Sequence, residues 1–487
     1  MRSGKTLAIA ALLVALPAAS VLAVLSRQAP SAQARSKTPS FITYQLGATT
    51  GESCPNTTTP CHNGAAEPAI RADGAGNFYA SSENGLGAGT DAWKSSDGGA
   101  HYVTLPSPNA VSSANDSGFA PGGGDTDLAT APAKNSAGFY NVYVASLSLA
   151  NVDVSTSMDG GQSFTLNPAG ATISGDDREW IAADGASKVC ISYHDVATFN
   201  IDVNCSFDAG LAFTQLGDAI DSNHAYNIDA NEIGNLAIDP HNHYIYQTYS
   251  GGTLADSINP NPTGHHVVYM AVSTDGGQTF IDYPVYTNPN VTADYGHQFV
   301  NVSIDSAGNV YSVYNDNHNL FYSYSTTHGQ TWSVPRQINS GASATAIFPW
   351  SVAGDAGKLD VVWYGTSYYD GTNPPDSYPA SAAWYVYFAQ NLSATSGGSF
   401  SQTQATPIVH YGGVCEGGIS CTGNRDLYDD FGVAASPTTG LASIVYSDDQ
   451  YDPAQPTGCT QAQTNTGSCD HTNFATQTAG PVIYSGR

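Results

Sequence analysis

Carboxylates and arginines stand close together at several points of this chain, and their grouping indicates acid–base chemistry. Glutamate is rare, with six residues against 35 aspartates, yet Glu67 and Glu179 each have an arginine nearby, Arg71 and Arg178. Carboxylates that face one another in a confined space repel, which raises the pKa of at least one of them. A carboxyl group with a raised pKa is what general acid catalysis at neutral pH requires.

The same segments have two other interpretations. One is that the charged residues at 177–179 and 425–426 form salt bridges that only stabilise the fold. For these residues, this interpretation has the same weight as a catalytic one. The other is Ca²⁺ binding, since residues 125–127 and 429–430 offer carboxylate oxygens. The sequence holds no EF-hand loop, phosphate-binding loop, GxSxG elbow or HExxH motif. We therefore expect no required cofactor and keep Ca²⁺ as the alternative.

A repeated turn indicates the scaffold that positions these residues. Its best copy runs from Ser273 to Phe280 and contains Asp275-Gly276-Gly277. Glycine supplies the positive φ of a hairpin turn, and the aspartate accepts backbone N–H bonds across it. Alternating strands flank the turn, which predicts a place between the third and fourth strands of a small antiparallel sheet. The other copies contain Asp97, Asp159, Asp208, Thr327 in place of aspartate, and a decayed segment ending at Phe400.

Seven short runs of small and apolar residues recur upstream of these turns, and each reads as the first strand of a sheet. Small side chains suit strands that crowd around an axis. We therefore predict an all-β propeller of four-stranded antiparallel blades, seven in number with six as the alternative. Residues 41–46 are expected to close the last blade, residues 426–487. The seven runs are residues 68–72, 128–131, 180–183, 236–238, 299–304, 350–353 and 431–435.

The Ser-x-Asp-x-Gly-x-Thr-Phe/Trp element resembles the Asp-box, or bacterial neuraminidase repeat, of sialidases and related β-propellers. The resemblance covers about residues 60–400. It implies three arginines that clamp a substrate carboxylate, a tyrosine nucleophile paired with a glutamate, and an aspartate acid/base. Two departures are visible. Those sialidases have six blades, and the resemblance implies an Arg-Ile-Pro motif on the first blade, whereas here Glu67 stands directly before Pro68 and Arg71 comes three residues after it.

Residue by residue, the resemblance implies a site built from the strand-entry residues. The catalytic candidates are Tyr428 as nucleophile, Glu232 as its partner and Asp127 as the acid/base. The substrate-binding candidates are Arg71, Arg178, Arg425, Glu67, Asp177 and Trp180.

Three functions follow from this set. The first is a secreted exo-glycosidase of sialidase type, acting on a glycan or glycoprotein through two carboxylates across the channel. The second is a non-catalytic propeller that binds glycans or proteins, in which the channel carboxylates would all be paired. The third is a Ca²⁺-stabilised scaffold.

Composition and the N-terminus point to export. Arg2 and Lys5 precede an apolar run over residues 7–25 and a small-residue site, Ala32-Gln33-Ala34, which predicts a signal peptide over residues 1–34. An uncleaved membrane anchor is the alternative. A linker, residues 35–40, and a single propeller domain, residues 41–487, follow. The net charge of -27 disfavours nucleic acid and anionic membranes as partners, and we expect a monomer.

Eight cysteines fall into four close pairs, and an exported chain can oxidise them. A metal site is the rival interpretation, but no CxxC pair occurs. We expect nearest-neighbour disulfides, Cys54–Cys61, Cys190–Cys205, Cys415–Cys421 and Cys459–Cys469.

Overall fold

The computed structural model describes residues 38–46, 66–87, 89–109, 122–148, 151–171, 176–259, 264–297, 299–371, 375–450 and 469–485. The chain divides into two units, Met1–Arg35 and Ser36–Arg487. The first unit, which contains the expected signal peptide, lies outside the described residues. None of the described helices is long and apolar enough to span a membrane.

Seven antiparallel sheets confirm the predicted propeller and its blade number. The first strand, β1 (Ser40–Gln45), belongs to the last blade. Blade one holds β2 (Ala66–Ala72), β3 (Phe78–Glu83), β4 (Thr90–Ser95) and β5 (Val103–Thr104). Blade two holds β6 (Thr126–Lys134), β7 (Tyr140–Leu147), β8 (Val152–Ser157) and β9 (Thr165–Asn167). Blade three holds β10 (Asp176–Asp184), β11 (Lys188–Asp195), β12 (Ile201–Ser206) and β13 (Phe213–Asp218).

The remaining blades repeat this plan. Blade four holds β14 (Glu232–Ile238), β15 (Ile245–Gly251), β16 (Val267–Ser273) and β17 (Ile281–Thr287). Blade five holds β18 (Asn301–Ile304), β19 (Val310–Asn315), β20 (Leu320–Ser325) and β21 (Arg336–Gln337). Blade six holds β22 (Thr345–Ala353), β23 (Leu359–Thr366), β24 (Ala383–Asn391) and β25 (Ser401–Gln404), with β26 (His410–Tyr411) also pairing β24. Blade seven holds β27 (Gly432–Ala435), β28 (Ala442–Asp448), β29 (His471–Ala479) and β1.

Helical structure is confined to single turns. The one α-helix among the described residues is α1 (Leu254–Ser257). The 3-10 turns are Ala225–Asn227, Pro375–Ser377, Ala394–Ser396 and Gly418–Ser420.

The first strands of the blades form the inner ring, in which each contacts the next and β27 meets β2. Small side chains such as Ala129, Ala182 and Ala434 are buried there. Bulkier side chains pack between neighbouring blades, as Tyr143 of blade two does with Ile191 of blade three. The ring closes because β1 pairs antiparallel with β29, from Ser40 opposite Ala479 to Gln45 opposite Asn473.

The repeated turns lie where β4, β8, β12, β16 and β20 end, at the outer side of blades one to five, and are called the rim turns here. In the best copy, the Ser273 hydroxyl donates to Asp275 at 2.8 Å and accepts the Gly277 N–H at 2.8 Å. The Thr279 N–H and hydroxyl both donate to the same carboxylate. The fifth turn keeps this pattern, because the Thr327 hydroxyl accepts the Thr331 N–H at 3.0 Å.

Rim turns also brace neighbouring blades. A Cβ added at Gly161 would lie 2.9 Å from Leu105 of blade one, and one added at Gly210 would lie 2.7 Å from Thr156 of blade two. Glycine, with φ of 92° and 80° at these positions, therefore meets both the turn conformation and the close contact.

Two of the four predicted disulfides, Cys190–Cys205 and Cys415–Cys421, are confirmed. Cys190–Cys205 joins β11 to β12 at directly opposite positions, and Cys415–Cys421 closes a short loop before blade seven. Cys54, Cys61 and Cys459 lie outside the described residues, whereas Cys469 is described and buried.

Candidate active site

The mouth of the central channel gathers residues that are distant in sequence. It lies where the first strands begin and the second strands end, since Ala66 at the start of β2 pairs with Glu83 at the end of β3. Arg178 of blade three contacts residues that belong to blades one, two and seven, which places it over the axis. We call this group the channel mouth: Glu67, Glu83, Asp125, Arg178, Arg425, Asp429 and Asp430.

β-Bulges set the direction of two of these side chains. The register shifts between Ala66 and Ala69 and again between Asp177 and Glu179. Within these bulges Glu67 has φ 48° and Arg178 has φ 42°, a left-handed conformation that is unusual for such residues. Simple strand alternation therefore fails here.

Three carboxylates of the mouth form a compact group, the acid trio of Glu67, Glu83 and Asp125. Each offers an oxygen, and these atoms all lie within 4.8 Å of one another. Glu67 is fully buried, whereas Glu83 and Asp125 are half-buried and reach solvent. The trio thus combines crowding with access.

Burial and mutual repulsion shift the titration of the trio. Burial, with Asp125 next and partly offset by Arg425, raises the pKa of Glu83 to about 8. Burial, with Glu83 next, raises the pKa of Glu67 well above its ordinary value. At neutral pH, Glu83 is therefore a proton donor with solvent access.

Arg178 holds the mouth together. Its Nη2 donates to Asp430 at 2.6 Å, and its Nη1 lies 3.6 Å from Glu67 and 3.7 Å from Asp125. The guanidinium also stacks on Trp180, 4.0 Å from the ring centre, and its side chain is 6% exposed. Burial, opposed by Arg178 and reinforced by Asp125, raises the pKa of Asp430 to about 7.

Arg425 contributes the second cation of the mouth. Its Nη2 donates to Asp429 at 2.7 Å and to Glu67 at 3.1 Å. The guanidinium lies 5.3 Å from the Tyr428 ring, and the Tyr428 hydroxyl donates to Asp470 at 3.1 Å. Burial, with Asp426 next, raises the pKa of Asp470 to about 7.

Glu232 lies at the start of β14, outside the channel mouth as defined above. It is not the partner of the Tyr428 hydroxyl, which donates to Asp470 instead. Burial, offset by His265 and reinforced by Asp429, raises the pKa of Glu232 to about 7. Asp429 is therefore the residue of the channel mouth whose charge acts on Glu232.

Arg71 and Asp127 lie elsewhere, deeper along the channel. Arg71 donates to Asp127 at 2.8 Å and lies 4.9 Å from the Trp350 ring, beside a cavity of about 250 Å³. Asp127 is 1% exposed and also accepts the N–H groups of Leu128 and Ile181. These contacts tie blades one, two and three together and leave Asp127 no route to a substrate. The three arginines are therefore not assembled at one point.

Trp180 and Asp177 differ in exposure. Trp180 is fully buried and contacts Phe299 and Trp350, with ring centres 5.2 Å and 5.3 Å apart. Trp180 packs beneath the guanidinium of Arg178 and is not exposed, so it is not placed to contact a substrate as the sequence had led us to expect. Asp177 is exposed, and its carboxylate accepts the Arg178 N–H at 3.0 Å.

The aspartates considered for Ca²⁺ fall into two sets: Asp125 belongs to the acid trio, whose residue types and spacing could hold a metal ion, and the others bind arginines. Asp127 binds Arg71, Asp429 binds Arg425, and Asp430 binds Arg178. Two other groups have metal-ligand residue types, namely Asp221, His224 and Asp282, and His410, Asp426 and Asp449. In both groups, the histidine Nδ1 lies within hydrogen-bond distance of an aspartate, which accounts for their geometry.

Glu83 and Asp470 were missed from the sequence. The scarcity of glutamate was the available signal for Glu83, since five of the six glutamates lie among the described residues and each has a raised pKa. Asp470 gave no signal, because nothing in its local sequence distinguishes it from other loop aspartates.

No protein-family model and no curated protein matches this chain. Solved structures that resemble it include the alpha-L-arabinanase of Penicillium chrysogenum complexed with arabinobiose, at 11% identity and TM-score 0.44, over 90% of this chain and 97% of that chain. A second is the xyloglucanase of Xanthomonas campestris, at 13% identity and TM-score 0.48, over 85% of this chain and 55% of that chain. A third is the intramolecular trans-sialidase of Ruminococcus gnavus, at 11% identity and TM-score 0.38, over 85% and 95%. These values assign no activity to this chain.

Proposed function

We propose that this chain is a glycoside hydrolase whose catalytic carboxylates are Glu83 and Asp125. The observation that carries the proposal is the acid trio, whose oxygens lie within 4.8 Å of one another at a solvent-accessible mouth. Glycosidases need one protonated and one ionised carboxyl group on either side of the scissile bond. The trio supplies two carboxyl groups that a substrate can reach, Glu83 and Asp125.

Glu83 is assigned the role of general acid. Because burial raises its pKa to about 8, it carries a proton at neutral pH and can donate it to the leaving glycosidic oxygen. Asp125 is assigned the role of nucleophile, since Arg178, 3.7 Å away, stabilises its negative charge. Glu67, fully buried between two arginines, positions them both.

We propose a retaining course, because one oxygen from each residue of the acid trio lies within 4.8 Å of the others, which leaves little room for a water molecule between Glu83 and Asp125. Carboxyl groups about 5–5.5 Å apart are typical of retaining enzymes, whereas inverting enzymes need about 6.5–9.5 Å to admit a water molecule. In the retaining course the Asp125 oxygen forms a bond to the anomeric carbon as the glycosidic C–O bond breaks. Glu83 gives its proton to the leaving oxygen and then removes one from the water that releases the sugar.

A sialidase is the second candidate. The Tyr428 hydroxyl, 3.1 Å from Asp470, favours it, because a tyrosine beside a carboxylate base is an activated nucleophile. In this version Arg178 and Arg425 bind the substrate carboxylate and Glu232 assists. We also propose secretion, which the two disulfides support.

The test is hydrolysis of a panel of fluorogenic glycosides, sialoside included, by the mature protein and matched variants. We expect Glu83→Gln and Asp125→Asn to abolish turnover, with Asp275→Asn at the rim as the control that keeps it. Loss with Tyr428→Phe and Glu232→Gln but not with Glu83→Gln would favour the sialidase. No turnover of any glycoside by folded protein would contradict both and favour a binding propeller.

A further inference from the structure

We infer that the sugar ring bound at the channel mouth carries no carboxylate, so that the natural substrate is a neutral or amine-bearing glycan. This assignment, which rests on the glycosidase function proposed above, excludes sialosides and uronides as good substrates. It follows from the charge balance of the mouth.

Arg178 is buried among protein carboxyl groups, and of its guanidinium nitrogens only Nη2 makes a hydrogen bond among the described residues. Its guanidinium contacts Asp430 at 2.6 Å, Glu67 at 3.6 Å and Asp125 at 3.7 Å, and its side chain is 6% exposed. A substrate carboxylate would have to displace one of these anions from a buried position. Trp180 closes the other approach by stacking on the guanidinium.

The other two arginines also contact protein carboxyl groups. Arg425, with a side chain 30% exposed, contacts Glu67 at 3.1 Å and Asp429 at 2.7 Å. Arg71 is bound to Asp127 at 2.8 Å and lines the cavity deeper along the channel. Each guanidinium group is thus already in contact with protein carboxyl groups before a substrate arrives.

Carboxylates outnumber these cations, and one of them is unpartnered. Glu179 is fully buried, and neither of its oxygens has a hydrogen-bond partner among the described residues. Asp125 is the largest charge acting on Glu179, which places this group against the acid trio. An incoming anion would be repelled by Asp125 and Asp429, whose arginine neighbours already contact protein carboxyl groups, whereas hydroxyl or ammonium groups could donate to both aspartates.

The same charge balance suits the reaction. The transition state of glycoside hydrolysis has oxocarbenium character, so positive charge develops on the sugar ring. Fixed carboxylates close to that ring stabilise it without rearrangement. Asp125 and Asp429 at the mouth therefore favour both a neutral ground state and a cationic transition state.

The experiment compares fluorogenic substrates in pairs that share a ring and differ in charge, glucoside against glucuronide and galactoside against galacturonide, with a sialoside added. We expect every substrate that turns over to be neutral, with kcat/KM at least ~100-fold above that of its uronide. Faster turnover of a uronide or of the sialoside would overturn the inference and leave the glycosidase function standing.

A binding measurement separates the two failures. Saturation-transfer NMR would follow glucosamine, glucose and glucuronic acid with the wild-type protein, and again with Asp430→Asn, which frees part of Arg178. We expect glucuronic acid to bind most weakly to the wild type and to gain most in the variant. Absence of all turnover would overturn the glycosidase function. Preferential binding of glucuronic acid, or no binding of any of the three, would overturn the charge assignment itself.

Discussion

Carboxylates occupy two regions of this propeller, the rim turns and the channel mouth, and the two environments act on them in opposite directions. At the rim, burial acts to raise the pKa of Asp275, but hydrogen bonds from Thr279, Ser273 and Gln278 together outweigh it and lower this pKa to about 2. At the mouth, burial and Asp125 raise the pKa of Glu83 to about 8. Donors surround the first group, and other acids surround the second.

This difference separates stability from chemistry. An aspartate that is ionised and saturated with donors stabilises the folded chain, and the rim repeats that arrangement from blade to blade. A carboxyl that is crowded by acids destabilises the fold when it ionises, but it holds a proton that can be given away. The rim aspartates thus stabilise the propeller, and the carboxyl groups of the channel mouth are suited to proton transfer.

The largest expected effect is loss of activity at the mouth. Replacing Glu83 by Gln, or Asp125 by Asn, removes one proton-transfer or nucleophilic group without changing side-chain size. We expect kcat to fall by about 10²–10⁴-fold, measured with the best substrate of the glycoside panel. Asp275→Asn is the matched control, and a Glu83→Gln variant with more than half of the wild-type kcat would contradict the assignment.

Removing the central cation should cost the most stability. Arg178→Met leaves Asp430 buried without its partner and Glu67 with Arg425 alone, and we expect the free energy of unfolding to fall by about 3–5 kcal/mol. Denaturant titration measures it. The double variant Arg178→Met, Asp430→Asn should recover part of the loss, and an unchanged midpoint in the single variant would show that the ion pairs are not important to stability.

The two regions should also give opposite pH dependence. A carboxyl with a folded-state pKa above its unfolded value binds more protons when folded, so the unfolding free energy falls as pH rises between the two values. Glu83, Asp153 and Asp360, each with a pKa raised to about 8 by burial first of all, therefore lower stability from about pH 5 to about pH 8.

The rim aspartates act in the reverse sense. Their lowered pKa values give stability that is present above about pH 4 and is lost as pH falls toward about 2. Thermal unfolding across this range should show maximum stability near about pH 5. A plateau from about pH 5 to about pH 8 would contradict the raised pKa values of Glu83, Asp153 and Asp360.

The smallest effects are expected at single rim turns. Asp275→Ala removes the acceptor of several hydrogen bonds, and we expect a loss of about 1–2 kcal/mol by denaturant titration. Thr327→Asp restores the usual acceptor in the fifth turn and should stabilise by about 0.5 kcal/mol. Neither change should alter activity. A loss of activity in Asp275→Ala would remove the distinction between the two regions.

Much of the fold could be predicted from the sequence, because the rim turns are local. Ser273, Asp275 and Gly277 bond one another within five residues, so their spacing already specifies the turn. Counting the small-residue first strands gave seven blades, which the sheets confirm.

The site could be predicted only in part, because its contacts are long-range. Glu67, Arg178 and Arg425 were predicted as site residues from their residue types. Their mutual contacts, however, depend on β-bulges at Glu67 and Arg178 that the local sequence does not predict. Glu83 ends a second strand, where only its pairing with Ala66 brings it to the mouth. Trp180 was expected to bind substrate, but it is buried by Phe299 and Trp350. Both residues are distant in sequence, so this burial could not be predicted from the residues next to Trp180.

The central claim is that the channel mouth holds a protonated carboxyl at neutral pH, and glutamate-selective carbon NMR tests it directly. The chain has six glutamates, so labelled side-chain carboxyls give few resonances, and Glu83→Gln identifies one of them. We predict that the Glu83 resonance titrates with a midpoint near the pKa of about 8. A midpoint close to 4.5, the ordinary value for glutamate, would contradict the assignment of Glu83 as the general acid.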